Sequence, residues 1–104
     1  MWQDILKQGQ CYQSAYSYVF DENMKGNTDL ILVHADVIGT GGDVKGIGYC
    51  HAFVLDGDNV IDTEANVTVP YEYYKAVGNV TNEKRYTFDE MLREALESGH
   101  YGPW

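Results

Sequence analysis

Basic residues and long apolar runs are what this chain has least of. Seven Lys and Arg stand against 16 Asp and Glu, which gives a formal net charge of −9 at pH 7. Because phosphate binding needs clustered Lys and Arg, this balance argues against nucleic acid and against an anionic membrane surface as partners. No apolar run approaches the roughly 18 residues of a membrane span, so no membrane protein is expected. A neutral or basic substrate or protein surface fits the charge better.

Cysteine is scarce too, with only Cys11 and Cys50. The N-terminus lacks the charged-then-apolar order of a secretion signal, so we expect a cytoplasmic protein of a bacterial or phage-infected cell, with both cysteines reduced. Because there is no linker, repeat or low-complexity segment, residues 1–104 are expected to form one domain. No Cys/His pair has close metal-site spacing, and the Gly-rich segment lacks the Lys of a phosphate-binding loop. The sequence therefore predicts neither a metal nor an organic cofactor.

Hydrophobic periodicity predicts helices near both ends of the chain and strands between them. Apolar residues at helical spacing predict a helix from Cys11 to about Phe20, with Gly9 separating it from a short helix or arm over 1–8. The remaining predicted elements are strands over 30–37, 49–55, 58–63 and 82–86, a helix over 71–77, and a helix from a Thr87/Glu90 capping box to Gly99. Together they predict an α+β fold, in which a Cys-bearing N-terminal helix packs on a small antiparallel sheet with a C-terminal helix.

Cys11 is the candidate nucleophile. A thiol becomes usable when its pKa is lowered and a nearby group takes its proton. At a helix start, Cys11 would face unpaired backbone N–H groups and the positive end of the helix dipole, both of which stabilise a thiolate. The alternative is a small buried hydrophobe, the usual fate of cysteine. That interpretation is favoured for Cys50, which points away from His51 along its strand.

A predicted hairpin supplies a base and a group to orient it. With Asp56-Gly57 as a two-residue turn, His51 lies opposite Asp62. If the turn is instead Gly57-Asp58, the register moves by two residues and His51 faces Glu64, with Asp62 as a diagonal neighbour. Under either register the imidazole and the Asp62 carboxylate share a face of the sheet. Asp62 can then hold one ring nitrogen while the other faces the thiol.

Alternatives stay open for several of these residues. Asp62 could simply cap the turn that follows it, which leaves Glu64 as the reserve partner of His51. His34 either lines the cleft or bonds the backbone, and the second, structural role is favoured. His100 either covers the cleft or interacts with carbonyl groups at a helix end. The least favoured alternative is a zinc site drawn from Cys11 and these histidines and Asp62.

The order of Cys on a helix, His on a strand and Asp on the next strand resembles papain-like thiol enzymes of the transglutaminase-like and NlpC/P60-like type. More closely, three groups of residues resemble a family of small phage and bacterial proteins. They are 11–15; 32–34 with 46–54 and 60–62; and 99–104. The resemblance implies a compact papain-like fold with Cys11, His51 and Asp62 as a triad. The chain departs from it at Phe53, where relatives often carry Trp. The oxyanion-holding glutamine also has no clear match, and its candidates are Gln3, Gln8 and Gln10.

The expected function is that of a thiol hydrolase or acyltransferase acting on an amide, isopeptide or thioester bond of a peptide, protein or small acyl substrate. Cys11 attacks the carbonyl, His51 takes the thiol proton and later protonates the leaving group, and Asp62 fixes the imidazole. The Cys11 backbone N–H and a second donor would hold the oxyanion. The alternative is a phage-encoded, non-catalytic binding protein that uses a papain-like scaffold to block a host factor through its acidic, tyrosine-rich surface.

Overall fold

The computed structural model describes the backbone of residues 2–104 and the side chains of residues 10–104 except residue 44. In chain order the elements are α1 (Trp2–Met24), β1 (Ile31–Ile38), a 3-10 turn (Gly42–Val44), β2 (Gly48–Asp56), β3 (Asn59–Asp62), β4 (Val67–Pro70), α2 (Tyr71–Gly78), β5 (Thr81–Tyr86) and α3 (Phe88–Ser98). The strands form one antiparallel sheet in the order β4-β3-β2-β1-β5. The expected α+β class is therefore confirmed. Over the described residues, no helix combines the length and apolar character needed to cross a bilayer.

Helix α1 is longer than the sequence predicts. It runs without a break for 23 residues, so Gly9 does not interrupt it and Cys11 lies in its interior. The predicted helix start at Cys11, with a separate arm before it, is therefore wrong. A single glycine costs a helix only about 0.5–1 kcal/mol. Burial of Tyr12, Ala15 and Val19 against the sheet outweighs that cost, because each larger apolar side chain contributes about 1.5–3 kcal/mol when buried.

The β2–β3 hairpin adopts the second of the two registers considered. Asp56 pairs with Asn59 and Leu55 with Val60, so the two-residue loop is Gly57-Asp58. Gly57 has φ +59°, a conformation that glycine adopts without steric cost. The prediction that Asp56-Gly57 forms the loop is wrong by one residue in its placement, and this shift moves every cross-strand pair by two.

Two buried clusters lie on opposite faces of the sheet, as the alternation of strand side chains requires. The first joins Cys11 and its neighbours on α1 to Ala52, Val54 and Met91. The second joins residues of the strands to aromatic rings of α2: Val33, Ala35, Val37, Phe53, Leu55 and Val60 with Tyr71 and Tyr74. The helices therefore cover both faces, with α1 and α3 on one side and α2 on the other.

The C-terminal half largely follows the sequence prediction. The Thr87/Glu90 capping box is confirmed in both directions, and α3 ends at Gly99 in the left-handed conformation. Strand β4 was not predicted, because its four residues are too short for a clear alternation. Of the apolar side chains of α3, Met91 is buried whereas Leu96 is 83% exposed.

Cys50 does not belong to the core, contrary to the sequence prediction. It is exposed, and its thiol donates a hydrogen bond to Asp36 Oδ1 at 3.5 Å. Asp36 is its cross-strand partner on β1. The cluster covered by α1 includes Ala52 and Val54 of the same strand face but stops short of Cys50. The prediction that Cys50 points to the opposite face from His51 agrees with the strand alternation. Cys50 is nevertheless exposed because the cluster covered by α1 does not extend to it.

Candidate active site

The centre of the candidate site is a buried imidazole–carboxylate pair. His51 Nε2 lies 3.0 Å from Asp62 Oδ2, and both residues are buried. An ionised carboxylate can only accept, so Nε2 is the donor. The other oxygen of Asp62, Oδ1, accepts from the backbone N–H groups of Glu64 and Ala65, each at 3.0 Å. The Tyr74 hydroxyl donates to Oδ2 at 2.7 Å. The carboxylate is therefore held from three sides in addition to its bond with His51.

The local sequence explains why Asp62 is so firmly held. Strand β3 ends at Asp62, and the chain turns at once, so the N–H groups of the next residues point back at the side chain. The capping role that was weighed as an alternative for Asp62 is therefore present together with its contact to His51. Tyr74, which sequence reasoning missed, comes from α2. Its only sequence signal is a tyrosine three residues after Tyr71 on one face of a short helix.

Cys11 approaches the same imidazole from α1. Its sulfur, one ring nitrogen of His51 and a carboxylate oxygen of Glu64 all lie within 4.8 Å of one another. Because Nε2 is engaged with Asp62, Nδ1 is the ring nitrogen available to the thiol. Nδ1 also lies 3.8 Å from Glu64 Oε2. The Cys11 thiol, the His51 imidazole and the Asp62 carboxylate thus follow one another in series. The Glu64 carboxylate lies beside the contact between the thiol and the imidazole.

The two halves of the site come from opposite sides of the sheet. Cys11 belongs to the cluster under α1, whereas His51 is two residues from Phe53 on β2 and so shares the sheet face of the cluster under α2. The β2–β3 ladder covers only Val54–Asp56 of β2, so β2 has no β3 partner at His51. The open edge beside His51 is where the thiol of α1 and the imidazole can meet.

Opposing effects set the proton affinities of the pair. Burial alone would lower the pKa of His51, but its hydrogen bonds to Asp62 and to Cys11 outweigh burial, so the pKa of His51 is raised. Burial alone would raise the pKa of Asp62, but the hydrogen bonds from His51, Tyr74 and the Ala65 backbone outweigh it and hold that pKa low.

A cavity of about 530 Å³ opens onto this pair. Tyr49, His51, Asp62 and Glu64 line its polar end, and the described residues around it include no Lys or Arg. Four large apolar or aromatic side chains of its lining are partly exposed, namely Ile38, Val67, Tyr73 and Val77. Cys11 itself is 0% exposed, so its sulfur lies behind the imidazole rather than on the cavity wall.

The other histidines lie elsewhere. His34 is buried among the rings of Tyr12, Tyr86 and Trp104, with centroid distances of 4.6, 5.1 and 4.9 Å. Burial, followed by the charge of Lys84, lowers the pKa of His34 to about 4. The predicted bond of His34 to the backbone is not formed among the described residues, since neither ring nitrogen has a hydrogen-bond partner there. His100 is exposed, and its Nδ1 accepts from the Gly102 N–H at 3.1 Å, so it covers a local turn rather than the cleft.

The structure does not support the predicted oxyanion donor at the Cys11 backbone. The backbone N–H of Cys11 lies inside α1, where it takes part in the hydrogen-bond ladder of the helix, so it is not available to a substrate. That prediction is wrong for the same reason as the predicted helix start. Gln10 is exposed, and the side chains of Gln3 and Gln8 lie outside the described residues.

Comparison with known proteins finds no match to a protein-family model, a curated protein or a solved structure. The site residues form a thiol–imidazole–carboxylate series at the inner end of an acidic, tyrosine-lined cavity.

Proposed function

We propose that this protein is a papain-like thiol hydrolase or acyltransferase that acts on an amide, isopeptide or thioester bond. The observation that carries the proposal is the Asp62–His51 bond of 3.0 Å, with the second nitrogen of the same ring turned to the Cys11 sulfur. An antiparallel sheet that carries the His and the Asp on neighbouring strands, with the Cys on a packed helix, supports the papain-like assignment. The chemistry needs the same three roles that the sequence suggested.

In the proposed reaction, the Cys11 sulfur attacks the substrate carbonyl while His51 Nδ1 holds the thiol proton. The tetrahedral intermediate collapses to a thioester on Cys11, and His51 delivers that proton to the leaving amine or thiol. Water or an acceptor amine then attacks the thioester, which restores the thiol. Asp62 keeps the imidazole oriented and stabilises its cationic form throughout, which is why its own support by Tyr74 and two backbone N–H groups matters.

Access to the sulfur requires a movement. Cys11 is fully buried, whereas the Glu64 side chain beside it is 39% exposed at the cavity. We assign Glu64 as the residue that moves aside to admit the carbonyl. A long glutamate side chain can change rotamer at the surface in picoseconds to nanoseconds, so this step need not limit turnover.

The oxyanion needs a donor other than the Cys11 backbone. Tyr49 lines the cavity, and its ring packs edge-on against that of His51 with centroids 5.9 Å apart. Burial, and then the charges of Glu64, Asp62 and Cys11, raise the pKa of Tyr49, so its hydroxyl stays a neutral donor. We assign this phenol to the developing oxyanion.

One observation favours a second candidate function. The sulfur is fully buried, while Ile38, Val67, Tyr73 and Val77 form an exposed apolar rim at the cavity mouth. That combination suits a binding protein whose Cys–His–Asp series merely stabilises the fold, and whose partner docks on the rim. The two candidates differ in whether the native protein lets an electrophile reach Cys11.

The experiment that separates them is alkylation by iodoacetamide in a Cys50→Ser background, which removes the exposed second thiol. The enzyme proposal predicts that folded protein is alkylated at Cys11 at neutral pH and that His51→Ala slows this reaction by about 10²–10⁴-fold, the usual worth of a positioned base. Alkylation that occurs only after unfolding, at a rate independent of His51, would favour the binding protein. Peptide mass spectrometry identifies the modified cysteine.

A further inference from the structure

The residues around the thiol also make a set of metal ligands. We propose that Cys11, His51 and Glu64 bind a divalent ion of the zinc class, and that the ion and acyl chemistry exclude each other at the sulfur. The inference does not depend on the proposed function. A metal can bind these three groups whether or not the thiol ever attacks a carbonyl.

The geometry is close to that of a zinc site. One ligand atom from each residue lies within 4.8 Å of the other two, and His51 Nδ1 is 3.8 Å from Glu64 Oε2. With bonds of about 2.0–2.3 Å, neighbouring ligands on a tetrahedral zinc ion stand roughly 3.3–3.6 Å apart. Because the Glu64 side chain is partly exposed, it can move toward the other two ligand atoms when an ion binds.

The second, independent observation is the state of the imidazole. His51 is 4% exposed, and its Nδ1 has no nitrogen or oxygen hydrogen-bond partner among the described residues. Its Nε2 donates to Asp62, which is itself fixed by Tyr74. Metal-bound histidines almost always donate their other ring N–H to a carboxylate or a carbonyl in this way. The ring is therefore oriented with one buried nitrogen directed at a thiol and a carboxylate.

The ligand chemistry selects the class of ion. A thiolate, an imidazole and a carboxylate are the ligands that zinc takes, whereas calcium and magnesium prefer oxygen atoms alone. On binding, the thiol proton leaves to solvent and a zinc–sulfur bond forms. The sulfur lone pair that would attack a carbonyl or an alkylating agent is then engaged. Glu64 lines the cavity, so water from the cavity could complete the coordination of a bound ion.

Direct metal titration tests the proposal in the Cys50→Ser background. Zinc is titrated in competition with a chromophoric chelator, and cobalt(II) is added separately as a spectroscopic probe. We expect a single ion per chain, visible bands of a four-coordinate cobalt ion and a thiolate-to-cobalt charge-transfer band. Cys11→Ser should remove the charge-transfer band. A cobalt complex without that band, or no binding, would overturn the proposal.

Glu64→Gln tests the site in a variant whose change lies at the surface. We expect it to weaken zinc binding by at least the 10–100-fold that is typical for loss of even an outer-shell partner. Glu97→Gln, an exposed glutamate on α3, is the matched control and should bind zinc as the parent does. Thermal unfolding verifies that both variants fold. Added zinc should raise the unfolding midpoint of the parent and of Glu97→Gln, which bind it, and should raise that of Glu64→Gln less.

Equal zinc affinity in Glu64→Gln and Glu97→Gln would overturn the site, because the ion would then lie elsewhere. If the folded parent is alkylated at Cys11, a rate that saturating zinc leaves unchanged would also overturn the proposal. These results are distinct from a failure of the proposed function, since the cobalt spectrum and the chelator competition report on binding alone.

Discussion

His51 and Asp62 are hydrogen-bonded at 3.0 Å although they are not cross-strand partners. The β2–β3 ladder pairs Leu55 with Val60 and ends at Val54–Ile61, so His51 and Asp62 meet beyond its last pair. Glu64 follows in the turn after β3, and its carboxylate lies 3.8 Å from the other ring nitrogen of His51. One imidazole thus lies between two carboxylates of different burial. Asp62 is buried and fixed, and Glu64 is partly exposed.

The Tyr74 hydroxyl donates a hydrogen bond to the Asp62 carboxylate and so holds it in position. Tyr74→Phe removes its 2.7 Å bond to a buried charged group, so we expect the free energy of unfolding to fall by about 1.5–3 kcal/mol. Urea denaturation measures this change. Tyr73→Phe is the matched control, because the neighbouring tyrosine is 61% exposed. If both substitutions have the same effect, Tyr74 does not hold Asp62.

The role assigned to Tyr49 can be separated from simple thiol reactivity. Acyl transfer builds an oxyanion, whereas alkylation by iodoacetamide does not. Tyr49→Phe should therefore lower the rate of acylation by an activated ester by about 10²–10³-fold, the usual worth of one oxyanion donor, and leave alkylation of Cys11 much less affected. If Tyr49→Phe slows acylation and alkylation by the same factor, Tyr49 acts on the thiol or on access to it and not on the oxyanion.

The movement assigned to Glu64 predicts that shortening this side chain raises the reactivity of Cys11 instead of lowering it. Shortening this side chain in Glu64→Ala should open the way to the buried sulfur, so alkylation of Cys11 in the folded protein should become faster. Stopped-flow or timed-quench mass spectrometry gives the rate. A rate equal to that of the parent would show that Glu64 is not what covers the sulfur.

His34 predicts an acid sensitivity that is independent of the site. Its pKa is lowered to about 4 in the folded protein, and neither ring nitrogen has a hydrogen-bond partner among the described residues. Because the unfolded chain binds the proton at about pH 6.5, stability should be lost as pH falls from there towards pH 4, by up to roughly 3 kcal/mol.

His34→Phe should remove this dependence, since a phenyl ring fits the aromatic surroundings and carries no proton. Urea denaturation of both proteins at several pH values between 4 and 7 measures the difference. Parallel pH profiles would contradict the account of His34.

Much of the site could be inferred from the sequence because it depends on local rules. Strand alternation places His51 and Asp62 on one face under either register. Their proximity could therefore be predicted although the turn was placed one residue too early. The capping box of α3 is likewise a three-residue relationship. Cys11 was misplaced because helix length is decided by tertiary packing, which overrode the weak breaking tendency of Gly9. Tyr74 was missed since its contact needs α2 to dock on the sheet, which no local pattern encodes.

The central claim is that Cys11 is a nucleophile served by His51. The most direct measurement is the formation of an acyl-enzyme when the folded Cys50→Ser protein is mixed with p-nitrophenyl acetate. We predict a burst of p-nitrophenolate equal to the protein concentration, and an acetyl group on the peptide that contains Cys11. His51→Ala should slow the burst by about 10²–10⁴-fold. No burst from folded protein, or the same burst rate without the imidazole, would contradict the account.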